Sequence, residues 1–204
     1  MKNNLFYFVL FITLNICSQE SLTTKGDYFA NYFFGNATIE SDNNYKVNAN
    51  AVGGGLGKEF ILSKQLSLIA AFEYLRIQYA IPVRASSSPL FQVNNFIKVP
   101  FLLRYGDEFT EKATIYAETG MYIASLYKVK VESIALNSSR KENNAGYSFG
   151  MQLNLGFKYQ LSDIYSFGFG LNSQADLFQS YKDSVPEIKI VELYSFQLRI
   201  GANL

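Results

Sequence analysis

The segment Tyr147 to Tyr159 (YSFGMQLNLGFKY) alternates apolar residues with polar ones or glycine without a fault, and Tyr194 to Leu204 (YSFQLRIGANL) does the same. A period of two places successive side chains on opposite faces of a β-strand. Each segment is therefore a strand with one apolar face and one small or polar face. Their length exceeds the usual soluble strand of about 5–6 residues. About ten alternating residues, tilted by about 45°, cross a bilayer. The pattern predicts a membrane β-barrel.

Composition narrows the function classes. The 204 residues carry a formal net charge of +1, which is no electrostatic basis for binding nucleic acid. Charged residues make up 17% of the chain, below the ~25% of soluble domains, as expected where the outside faces something other than water. There is no histidine, which removes Ser-His and Cys-His hydrolases and most zinc sites. No metal, cofactor or enzymatic activity is expected.

Residues 1–18 read as a signal peptide. Lys2 supplies the positive start, Leu5 to Leu14 the apolar stretch, and Cys17-Ser18 small residues for cleavage before Gln19. Lipid attachment at Cys17 is the rival reading, but the large Ile16 precedes it. Cys17 is the single cysteine, so cleavage leaves a mature domain, residues 19–204, without thiol chemistry.

The mature sequence divides into eight strand-length segments. They run from Asp27 to about Ile39, Lys46 to Leu62, Leu66 to Ile81, Phe91 to Tyr105, Ala113 to Val131, the opening run, a run starting at Tyr165, and the C-terminal strand. In the third, the apolar set moves from Leu66, Leu68, Ala70, Phe72 and Tyr74 to Ile77, Tyr79 and Ile81, which predicts a β-bulge near Leu75-Arg76. Pro100 lacks a ladder donor and calls for an irregularity in the fourth. In the fifth, Val129 groups with Met121 and Ile123 on the apolar face, and Lys128 with Tyr122 on the other. Polar loops are expected over Val83 to Leu90, Ser133 to Asn144 and Ser180 to Ile188. Short connections alternate with longer ones, as in an eight-stranded antiparallel up-and-down transmembrane β-barrel with short periplasmic turns and long external loops.

Alternation does not say which face is outside. A soluble lipocalin-like barrel would turn the apolar face inward onto an apolar ligand. The other face, however, is Gly150, Gln152, Asn154, Gly156, Gly168, Gly170 and Gly201, with far fewer charges than a water-facing surface carries. Tyr105, Tyr147, Tyr159, Tyr165 and Tyr194 sit at strand ends on the apolar face, as interfacial girdles do. Lipid outside and a filled lumen inside is the better reading. Glu59, Glu73, Lys98, Arg104, Glu118, Lys158 and Arg199 then face inward and must pair to be tolerable; counting from the turns sets Glu73 opposite Lys98. Tyr45, Lys46, Arg84, Arg140, Lys141, Tyr181 and Lys182 are candidates for external contacts.

Three stretches carry a family resemblance. Ile97 to Tyr105 (IKVPFLLRY) resembles the I-P-L-L-L-K-Y strand of PorT-like outer-membrane β-barrel proteins, Tyr116 to Tyr122 (YAETGMY) their aromatic-x-x-x-G-x-Y strand, and Gly53 to Phe60 their G-x-G-x-E-aromatic hairpin. The resemblance implies an eight-stranded barrel exported to the cell outer membrane of a Gram-negative envelope. It also implies the lipid bilayer as surroundings and, for some members, an envelope or secretion-machinery protein as partner. The function expected is structural or partner-binding through the external loops, without an open pore.

Overall fold

The computed structural model describes residues 26–41, 45–81, 90–133, 138–182 and 188–203. The signal-peptide reading, Cys17 and Arg84 lie outside them. Eight strands follow in chain order: β1 (Asp27–Ser41), β2 (Tyr45–Ile61), β3 (Leu66–Ile81), β4 (Leu90–Thr110), β5 (Ala113–Ser133), β6 (Ser138–Gln160), β7 (Tyr165–Tyr181) and β8 (Ile188–Asn203). Each pairs antiparallel with its neighbour, and β1 pairs with β8 to close the barrel. Closure removes the sheet edges that would otherwise expose unpaired backbone groups. Following the pairing from Phe34 through Val52, Arg76, Asn95 and Lys128 arrives on β6 at Asn143, whereas the other way round, through Phe196 and Leu171, it arrives at Leu155. That stagger tilts the strands about the barrel axis.

One end is tightly turned. Leu62 N donates to Leu66 O at 2.9 Å, Glu111 and Lys112 alone separate β4 from β5, and Ser162 Oγ accepts from Tyr165 N at 3.1 Å. At the other end β4, β5 and β6 reach further than periodicity suggests. Ser138 to Asn144 reads as loop but is strand, paired with β5 from Lys128↔Asn143 to Ser133↔Ser138. At the turn end, Gly106 to Thr110 likewise extends β4 up to the Glu111-Lys112 turn.

Two expectations about the faces are corrected. β3 has no bulge at Leu75-Arg76: it keeps one register with β2, and Ser67, Ile69, Ala71, Glu73, Leu75, Ile77 and Tyr79 are all buried inside. What changes is the chemistry of the interior. Away from the tight turns the lumen becomes an apolar core of Phe33, Ile39, Leu75, Ile77, Phe96, Leu126, Val129, Ile188, Ile190 and Leu193. Each such Leu or Ile contributes about 1.5–3 kcal/mol by leaving water. The second correction follows from a real bulge, between Asn95/Phe96 of β4 and Leu126/Lys128 of β5. Tyr127 is the extra residue, so Val129 turns inward and Lys128 outward. Pro100 sits elsewhere; β3 and β4 pair at Ala70↔Phe101 and again at Glu73↔Lys98 in the same register, with the ladder interrupted opposite the proline.

Outside, the turn side of the barrel is apolar. Leu155, Leu171, Phe196 and Phe34 form one continuous row across β6, β7, β8 and β1, each about half exposed. Tyr28, Tyr105, Tyr159 and Tyr165 are exposed near its turn-side margin, and Tyr147 and Tyr194 near the other. The apolar face is thus outside over this belt and inside above it.

Candidate functional site

The inward charges form two layers in the lumen, built largely by cross-strand pairing. Arg104 lies opposite Glu118, and Glu118 opposite Asn154, on adjacent strands. Arg104 Nη2 is 2.5 Å and its Nε 2.9 Å from Glu118 Oε1, while Nη1 reaches Glu59 Oε2 at 2.8 Å. Arg199 crosses the lumen to the same carboxylate, with Nη1 2.7 Å from Oε1. Asn154 Nδ2 donates to its other oxygen at 2.5 Å. Lys158 closes the turn-side mouth between Asp27 at 2.6 Å and Glu59 at 3.2 Å. The guanidinium of Arg104 lies 4.2 Å from the Tyr116 ring centre, and that of Arg199 4.3 Å from the Phe29 ring. Flat cations stacked on rings fill the section; every Arg104 nitrogen finds an acceptor, whereas Arg199 Nε is buried without one.

The second layer centres on Lys98, which faces Glu73 across the β3–β4 ladder. Its ammonium pairs with Glu73 Oε2 at 2.8 Å and donates to Gln152 and Gln174 at 3.0 and 2.9 Å. Three donors meet three acceptors. Asn31 Nδ2 donates to Glu73 Oε1 at 2.6 Å. Above, Tyr122 Oη donates to Asp176 Oδ1 at 2.7 Å and Ile190 N to Oδ2 at 2.9 Å, which joins the polar layers to the apolar core.

All seven inward charges read from the sequence meet in these layers. Asp27, Asn31, Gln152, Gln174 and Asp176 belong to them too. Asp176 shares a face with Asn172 and Gln174 in the sequence pattern, which was its available signal; Asp27 opens a strand and offered none. Glu59, Glu73 and Glu118 are engaged by cations, and Asp176 by the Tyr122 hydroxyl and the Ile190 amide. Among the described residues no group of three His, Cys, Asp or Glu could hold a metal ion.

The external candidates do not gather into one surface. Tyr45 and Lys46 open β2, Arg140 and Lys141 lie in β6, and Tyr181 ends β7, half-buried against the apolar core. Lys182 N donates to Ala145 O at 2.9 Å. Arg140 is paired with Glu142 at 2.9 Å.

Glycines make room for the aromatic fill. A Cβ on Gly150 would overlap the Tyr122 ring and Ala175 O, and one on Gly53 would overlap Phe33. Gly150→Val is therefore expected to lower stability by about 1–3 kcal/mol through overpacking, read as a lower urea midpoint in detergent micelles. An unchanged midpoint would show that Tyr122 can leave its place.

With this geometry the chain can be set beside solved structures. Neisserial surface protein A matches over 87% of this chain and 97% of its own at 11% identity, with a TM-score of 0.52. The chain has the fold of the eight-stranded outer-membrane β-barrels. OprG from Pseudomonas aeruginosa aligns over 88% of this chain and 97% of its own at 13% identity and a TM-score of 0.49. Ail, the attachment invasion locus protein of Yersinia pestis, aligns over 88% and 99% at 12% identity and 0.44. No protein-family model and no curated protein matches the sequence. The outer-membrane barrel fold accounts for the inversion along the axis. Its belt turns apolar side chains outward around a lumen that side chains fill.

Proposed function

We propose that this protein is a small integral outer-membrane β-barrel, exported with loss of residues 1–18, that acts as a structural or partner-binding element through its external strand ends and does not form an open pore. The observation that carries this is the belt of exposed Leu, Ile, Phe and Tyr around a lumen filled with matched charges. In water such a belt would be an aggregation surface; in lipid it is the expected outer face. The strand motifs over Ile97 to Tyr105 and Tyr116 to Tyr122 support a place among the PorT-like barrels, with an envelope protein as partner.

The soluble, ligand-carrying alternative needs an apolar cavity inside the belt. There the interior holds Arg104, Glu118, Lys98 and Glu73; one cavity at the turn-side mouth is about 10 Å³, and a second, about 150 Å³, is walled by Glu59, Lys64, Arg104, Glu108 and Lys158. Charged walls of this kind do not suit an apolar ligand.

Two measurements test the proposal. The protein should require detergent for extraction and change its gel mobility when heated in SDS; full recovery in buffer with no mobility change would overturn the membrane reading. In planar bilayers it should give no steady large openings, and such openings would overturn the filled lumen.

A further inference from the structure

One acid of the lumen stands apart from the rest. Asp27, Glu59, Glu73 and Glu118 each meet a lysine or an arginine, whereas Asp176 is buried with no ion pair among the described residues. Its two oxygens accept from Tyr122 Oη at 2.7 Å and Ile190 N at 2.9 Å. Two hydrogen bonds leave its charge in place, and a buried charge without a counter-charge is costly.

The wall around Asp176 gathers more oxygens. Gly150 pairs with Asp176 but Phe149 with Phe178, so Leu177 is an extra residue in β7. Without it Asp176 and Gln179, three positions apart, would face opposite ways. The bulge turns Gln179 and Tyr181 to the side of Asp176, where Ser148, the cross-strand partner of Gln179, is fully buried. Ser148 neighbours both Asp176 and Tyr181. Yet Ser148 Oγ, Gln179 Oε1 and Tyr181 Oη are all buried out of hydrogen-bond geometry with any partner among the described residues. A hydroxyl can turn to donate, but the Gln179 carbonyl oxygen only accepts. A proton on Asp176 would serve one of these oxygens, whereas a small cation serves all four groups at once. Oxygen donors select hard cations, and one carboxylate balances a monovalent one.

The cluster also has an entrance. Pairing between β7 and β8 stops at Gln174↔Leu193, although β7 continues to Tyr181 and β8 begins at Ile188. Asp176 stands in the seam so formed and bridges it through Ile190 N.

We propose that Asp176, Ser148, Gln179 and Tyr181 form a sodium site in the lumen beside the β7–β8 seam. Asp176 supplies the charge and the other three supply neutral oxygens. The ion fixes β6 and β7 around the carboxylate that holds Ile190, and so stabilises the barrel where its ladder is missing.

The test uses the mature protein in non-ionic detergent micelles, with its aspartate carboxyl carbons isotope-labelled. Sodium chloride replaces choline chloride stepwise at constant ionic strength. The urea midpoint should rise saturably with sodium, and the Asp176 carboxyl signal should move with it. D176N should lose the response. S148A/Q179L keeps the carboxylate and should need about tenfold more sodium for the half-maximal shift. Each variant is first shown to keep the heat-dependent gel shift; if D176N does not, S148A/Q179L alone decides. A midpoint indifferent to the replacement, an Asp176 signal that sodium does not move, or an unchanged sodium response in a folded variant would overturn the site. A stationary signal at the position of a protonated acid would show that a proton takes the place of the ion.

Discussion

Replacing Glu118 by alanine is expected to destabilise the barrel by about 3–5 kcal/mol, because it leaves buried cations without their counter-charge. Glu118 is fully buried and engages both Arg104 and Arg199. Arg104 keeps Glu59 in the variant, but Arg199 has its ion pair with Glu118 alone among the described residues. The cost should therefore fall mainly on Arg199, and the double variant E118L/R199M should recover a large part of it. Removing a buried pair together is often near neutral, whereas removing one partner is not. Urea unfolding of the wild type, E118A, R199M and E118L/R199M in micelles measures each step. An E118A midpoint equal to that of the wild type, or a double variant no better than E118A, would mean that water reaches the lumen and screens these charges.

The lower barrel was legible because its two faces differ in the same way on every strand. Gly150, Gln152, Asn154 and Lys158 alternate with Phe149, Met151, Leu153 and Phe157, and the structure keeps that division. Above the belt the alternation continues with its sign reversed. Leu75 and Ile77 face in, while Arg76 and Gln78 face out. A period of two reports which residues share a face but not which face is the interior, so the reversal reads as a slip in phase. The segment Ser138 to Asn144 is polar enough to suggest a loop; it is held as strand by hairpin pairing with β5, from Ser133↔Ser138 to Lys128↔Asn143, which its polarity does not reveal.

The candidate site divides in the same way. Glu73 and Lys98 could be set opposite each other by counting from the β3 start and the β4 turn, since antiparallel neighbours share a register. Arg199 and Glu118 are 81 positions apart and meet across the lumen from strands that are not neighbours. No spacing encodes that contact. It follows from barrel diameter and stagger, which only the closed sheet provides.

The belt carries the second large effect. Leu171 lies midway along β7, half exposed, beside Leu155 on β6 and Phe196 on β8. Leu171→Arg is expected to cost about 2–4 kcal/mol of stability in phospholipid vesicles, the cost of holding a guanidinium near the bilayer midplane. The same change at Tyr165, at the turn-side margin of the belt, should cost about 0–1 kcal/mol, because the side chain can reach water there. Depth dependence is the diagnostic part. If the outer face met water, both positions would be surface sites with effects within about 0.5 kcal/mol, and arginine at Leu171 would improve solubility. Unfolding free energies of L171R and Y165R measured in the same vesicles separate these outcomes, and equal values for the two variants would remove the bilayer from around the belt.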